Sequence, residues 1–199
     1  DYNLIKIKLF MAIIKKITVL FFVSFLFIQC SKDNEFVVEK GKVGFLTQET
    51  TVKELISIFK NDSIVTQLSK DNTSEQNFIF TDADLYEIYS KSGEKLLEIT
   101  PTQVNDSTSK IKSIQIFNTQ YETRSGVGLK STFKDINSNY VINKVETTLT
   151  SATLYIDELN ATIAIDKEDL GISKFSREEI SIDQITDDSK IKYFTIWFN

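Results

Sequence analysis

Two short stretches of this chain occur twice, and nearly the same interval separates both pairs. Thr51 to Phe59 matches Thr132 to Tyr140 at an offset of 81 residues, with three identical and four conservative positions. Ser109 to Ile116 matches Ser189 to Ile196 at an offset of 80, with five of eight identical. Self-similarity at a fixed interval is what repeated supersecondary units leave in a sequence. It predicts a first unit over 43–118 and a second over 119–199, the latter carrying an insertion at 169–188.

Each unit reads as a helix and then strands. Val52, Leu55, Ile56 and Phe59 recur at helical spacing, and Phe133, Ile136 and Tyr140 do the same. Thr50 or Thr51 precedes the first helix, with Glu54 three residues after Thr51, and Ser131 or Thr132 precedes the second. Strands are expected at about 77–80, 85–90, 95–100 and 110–118. In the second unit they are expected at about 141–148, 153–158, 161–166 and 190–198. Ser92-Gly93 and Leu159-Asn160 fall where hairpin turns belong. Ser176-Arg177-Glu178-Glu179 is read as the start of a short helix inside the insertion. The expected fold class is therefore α+β: a tandem duplication of a helix followed by an antiparallel β-meander, with the helices packed on one sheet face. That order of elements resembles the β-lactamase-inhibitor-like fold and small envelope lipoproteins of the BamE type. A shared order of elements implies no activity.

Residues 1–29 read as an address. Met11 is the expected start, behind an upstream extension over 1–10. Lys15 and Lys16 are followed by an apolar run from Ile17 to Ile28. Twelve residues at about 1.5 Å each fall short of a hydrocarbon core of about 30 Å, so the run suits a signal peptide better than a span. It ends at Cys30, the single cysteine of the chain. Phe27-Ile28-Gln29-Cys30 resembles a bacterial lipobox, although Gln29 is larger than the residue usual there. Ser31-Lys32-Asp33-Asn34-Glu35 resembles the Lys-plus-acidic export signal of Bacteroidota-type lipoproteins. The resemblance implies that Cys30 carries the lipid, that 30–42 is the lipidated cysteine and its tether, and that the protein is anchored to a membrane. Ser31 after the cysteine leans toward the outer membrane. Two or more acyl chains would hold it there stably.

Composition removes several kinds of chemistry. The chain of 199 residues has no His, so a His general base and the Ser-His-Asp triad are excluded. So is zinc bound through His. The formal charge of −5 argues against a nucleic-acid partner. Beyond residue 29 there are 19 basic and 27 acidic residues, for −8. Ser125 to Thr132 contains glycines, Lys130 and Ser131, but Leu129 separates Gly128 from Lys130, so the contiguous Gly-Lys-Ser/Thr of a phosphate loop is missing. Two glycines before a helix also suit a tight turn. Asp82, Asp84 and Glu87 form one acidic group, Asp166, Glu168 and Asp169 a second, and Asp187 with Asp188 a third. None follows an EF-hand pattern. Paired carboxylates can serve a glycosidase, but in so acidic a chain pairing is expected from numbers alone. No metal, cofactor or catalytic residue is expected.

The aromatic residues carry the binding expectation. By the period-2 rule, Phe194, Ile196 and Phe198 share one face of the last strand, and Tyr193, Thr195 and Trp197 the other. Ile114 and Ile116 are likewise opposed to Ser113, Gln115 and Phe117. Phe117, Tyr193 and Trp197 are thus expected on an open sheet face, where aromatic rings are common anchors. The expected function is a non-catalytic, lipid-anchored envelope protein that binds a protein partner through that face. A glycan-binding accessory lipoprotein is the alternative, with a carboxylate-dependent hydrolase behind it.

Overall fold

Alternation of apolar and polar residues drives the main sheet. In the computed structural model, which describes residues 34–68, 84–173 and 176–198, eight strands join into one sheet. They are β4 (Ser63–Gln67), β5 (Leu85–Tyr89), β6 (Lys95–Pro101), β7 (Ile111–Ile116), β9 (Lys144–Thr147), β10 (Ser151–Ile156), β11 (Ala161–Asp166) and β12 (Ile191–Trp197). Their order is β4-β5-β6-β7-β12-β11-β10-β9, all neighbours antiparallel. Before them come β1 (Val37–Glu39), β2 (Lys42–Val43) and β3 (Leu46–Thr47), and β8 (Glu122–Thr123) lies between β7 and β9 in the chain. These four make a small second sheet in which β1 pairs with β8 in parallel.

Pro101, the single proline, ends β6 at a shift in register with β7. A residue without an N–H cannot continue the ladder, so an edge or irregularity is where it fits. Gly93 turns β5 into β6 with φ +81°, and Asn160 turns β10 into β11 with φ +49°. Both turns lie where the sequence placed them.

The α+β expectation is corrected by this topology. The described residues are mostly β, in two sheets, and the longest helix among them, Phe133–Asn139, has seven residues. A 3-10 turn at Val52–Glu54 runs into α1 (Leu55–Ile58), which is a single turn, and α2 is only Phe133–Asn139. Asn137, Ser138 and Asn139 are weak helix formers, and Tyr140 behind them is fully extended. Two helices this short cannot roof eight strands. The small sheet and the long loops complete the roof: Val38, Val43, Leu46 and Tyr121, together with Ile180 and Ile185, join Phe133 and Ile136 in one buried cluster with the large sheet. Nor are there two separate helix-plus-meander units. The matched segments β7 and β12 pair with each other at the centre of one continuous sheet, Ile114 opposite Ile196 and Ile116 opposite Phe194.

Several smaller expectations also change. Residues 34–42, read as tether, form a 3-10 turn and then β1 and the start of β2, with Val37 and Val38 buried. Ser176 to Glu179 forms no helix, and the helical turn of that region is Ile182–Gln184, boxed by Ser181 and Gln184. Strand β4 had no counterpart in the sequence reading. The expected strand at 77–80 lies outside the described residues. The capping boxes are present at Thr51 with Glu54 and at Thr132 with Asp135.

Candidate functional site

One face of the large sheet packs on the roof and the other is open. Phe194, Ile196, Ile114 and Ile116 point into the core with at most 1% exposure. Their neighbours in sequence point the other way, because successive side chains alternate. A register row of the open face runs Glu87, Glu98, Gln115, Thr195, Thr162 and Tyr155, each directly opposite the next.

The aromatic residues stand among these polar ones. Phe117 directly follows β7, and its N–H donates to Leu96 O on β6 at 2.9 Å. Lys95 places its Nζ 4.1 Å from the centre of the Phe117 ring, a cation–π distance. Tyr193 is 42% exposed. Trp197 is half-buried, lies opposite Ser113 and donates its Nε1–H to Thr162 Oγ1 at 3.1 Å. Tyr193 and Trp197 share the face but stand four residues apart, about 13 Å at strand rise, with Thr195 between them. The structure thus sets Phe117 under Lys95 at the end of β7 and keeps Tyr193 and Trp197 apart along β12.

Ion pairs frame the face. Lys95 Nζ donates to Glu87 at 2.5 Å and to Glu98 at 2.7 Å. Glu87 also accepts from Tyr89 Oη at 3.2 Å and from Gln67 Nε2 at 3.4 Å. The hydrogen bond from Lys95 chiefly holds the Glu87 carboxyl below the usual carboxylate value. On the far edge, Glu146 accepts from Lys144 and from the Tyr155 hydroxyl, in that order of effect, and is likewise lowered. A carboxylate depressed in the folded state adds stability that is complete above its unfolded value, here 4.5. That stability is lost as pH falls through the folded value. Glu87→Gln should therefore flatten the decline of the urea midpoint between about pH 5 and pH 3, while the chain with Glu87 declines more steeply. Parallel declines in the two proteins would mean that the pair is neutral to stability.

The other acidic candidates do not converge. Asp82 lies outside the described residues. Asp84 is fully buried and accepts the Asn105 N–H at 2.6 Å, bracing a loop residue with φ +53°, whereas Glu87 is on the open face. Asp166 pairs with Lys192. Glu168 and Asp169 are in a 3-10 turn. Asp188 accepts the Thr186 hydroxyl at 2.7 Å. Among the described residues no three carboxylates lie close enough to hold a metal ion. The loop Ser125 to Thr132 uses its own amides: Gly126 N–H donates to Thr123 O, Val127 N–H to Thr123 Oγ1, and Gly128 N–H to Ser131 Oγ. With those donors engaged it is a structural turn and no phosphate cradle. Cys30 lies outside the described residues.

Two features gave no sequence signal. Lys167 is fully buried, its Nζ bonded to Ser176 O at 2.7 Å and Leu149 O at 3.4 Å, so it ties the insertion to the β9–β10 turn. A cleft also opens beside Tyr121, with walls drawn from segments far apart in the chain.

No protein-family model and no curated protein matches this chain. Among solved structures it is similar to the crystal structure of the uncharacterized protein yfeY from Escherichia coli. The TM-score is 0.55 at 13% sequence identity, over 81% of this chain and 99% of that one. At that identity the likeness shows the fold alone.

Proposed function

We propose that this chain is a non-catalytic, lipid-anchored protein of the cell envelope, held in the outer membrane through Cys30. Its open sheet face binds a protein partner. The observation that carries the reading is the make-up of that face. Tyr193 is exposed and Phe117 lies under Lys95, on a surface whose carboxylates are held in ion pairs. Glu87 and Glu146 are shifted down, away from the near-neutral range that suits an acid–base catalyst. Rings on an ordered frame cost little entropy to bury, which suits a protein anchor. The run into Cys30 supports the lipid anchor.

One observation favours a glycan instead. Tyr193 and Trp197 are separated by a polar lane of Gln115 and Thr195, and such a lane could bond sugar hydroxyls between two rings.

Two measurements test the proposal. Cells labelled with a palmitate analogue should mark the protein, and Cys30→Ser should abolish the mark. Labelling that survives would remove the anchor. A photo-crosslinking amino acid at position 193 should give a discrete protein adduct in intact cells, while one at Ile56, 74% exposed on α1, should give none. No adduct at 193 together with retention on a glycan array, lost in Trp197→Ala, would replace the protein partner by a sugar.

A further inference from the structure

The fold begins close behind the cysteine proposed to carry the lipid. Only Ser31, Lys32 and Asp33 separate Cys30 from Asn34, the first described residue. A chain reaches about 3.6 Å per residue at most, so Asn34 lies within about 14 Å of Cys30 in any conformation. Acyl chains on Cys30 would hold that end of the chain among the lipid headgroups. From Phe36 onward the chain is fixed. The Phe36 ring stands edge-on to Tyr121 with centroids 5.1 Å apart, and Val37 and Val38 are buried.

The turn between β2 and β3, Gly44-Phe45, lies against this entry point. Gly44 N–H donates to Val37 O at 2.9 Å. A Cβ on Gly44 would stand 2.3 Å from the Glu35 carbonyl oxygen, so the turn and the incoming chain touch. Val43 and Leu46 are buried on either side and pin the turn in place. Phe45 is left facing outward at 58% exposure, the most exposed aromatic residue among the described ones.

Charge does not oppose a membrane at this spot. The chain beyond residue 29 carries −8, but over residues 34–48 Glu35 and Glu39 are offset by Lys40 and Lys42. Arg124 also pairs with Glu39. The surface around the turn is therefore not part of the acidic excess.

We propose that Phe45 and its turn rest in the membrane interface, and that the open face of the large sheet is directed away from the lipid. The proposal rests on the anchor at Cys30 argued above. An aromatic ring at the headgroup boundary buries its apolar surface there. One ring would not hold a free protein on a bilayer. A tether of three residues makes the contact intramolecular, so one ring suffices to set the orientation. The small sheet that carries the turn belongs to the roof, with Val38, Val43 and Leu46 packed toward the large sheet. Lipid on the roof side leaves the opposite face, with Tyr193 and Trp197, clear for a partner.

Trp197 is the single tryptophan, and it stands on the open face. Quenching by lipid therefore reads the orientation directly. The lipidated protein is reconstituted in phosphatidylcholine vesicles whose acyl chains carry bromine near the headgroup, with unbrominated vesicles as reference. Trp197 should keep its emission. In the double variant Phe45→Trp/Trp197→Phe, the indole at position 45 should lose most of its emission. A benzophenone side chain at position 45, with Trp197 kept, should form lipid adducts in intact cells, and this arm decides alone if the double variant does not fold. Three results would overturn the orientation while leaving the anchor in place: an indole at 45 that keeps its emission in a protein that floats with the vesicles, equal quenching at 45 and 197, or a protein adduct at 45 in place of lipid. A protein that does not float, and whose palmitate mark survives Cys30→Ser, would remove the anchor and this proposal with it.

Discussion

Replacing Phe194 by alanine should lower the stability of the folded chain by about 4 kcal/mol. Phe194 is fully buried in the middle of β12, between Ile163 on β11 and Ile116 on β7. Neighbours on paired strands cannot collapse into the space, because each is fixed by its own ladder of hydrogen bonds. The lost transfer energy and the cavity therefore add. Tyr193, one residue earlier, is 42% exposed on the opposite face, and Tyr193→Ala should cost about 1 kcal/mol or less. Urea unfolding of both variants measures the contrast. Similar midpoints would mean that β12 does not alternate as described, which would also remove the basis of the open face.

Gly44→Ala should cost about 3 kcal/mol, and Gly93→Ala about 1 kcal/mol. Both glycines have positive φ, +58° and +81°, so both substitutions meet the same backbone preference. They differ in space. Nothing lies within 4 Å of a Cβ at Gly93, whereas at Gly44 the new atom would stand 2.3 Å from a backbone oxygen. A side chain could swing away, but the Glu35 carbonyl cannot move without shifting the start of β1. Thermal melting of the two variants reads the difference. A Gly44→Ala protein as stable as Gly93→Ala would mean that the β2–β3 turn is loosely held.

Local physics was legible in this chain. The alternation in 85–90, 95–100, 153–158 and 161–166 became β5, β6, β10 and β11 because it needs only neighbours in sequence. The pairing of Thr51 with Glu54 and of Thr132 with its helix became caps for the same reason. The facing of Ile114 against Gln115, and of Phe194 against Tyr193, followed from the pleat alone. Helix length was misjudged, because apolar spacing says which face is buried but not how many turns polar residues such as Asn137 to Asn139 will sustain.

The sequence by itself determined which residues are core and which are open along each long strand, since a period of two is a property of neighbours. Only the tertiary structure decided how the strands assemble. Strands β2, β3 and β8 have two residues each, too short to show one alternation. The parallel contact of Val37 with Glu122 and the central contact of Ile114 with Ile196 join residues more than eighty positions apart. Such pairings leave no local period. They are chosen when the whole chain buries its apolar faces together, and that choice replaced two helix-covered units by one sheet and set Glu35, Asp62 and Tyr121 around a single cleft.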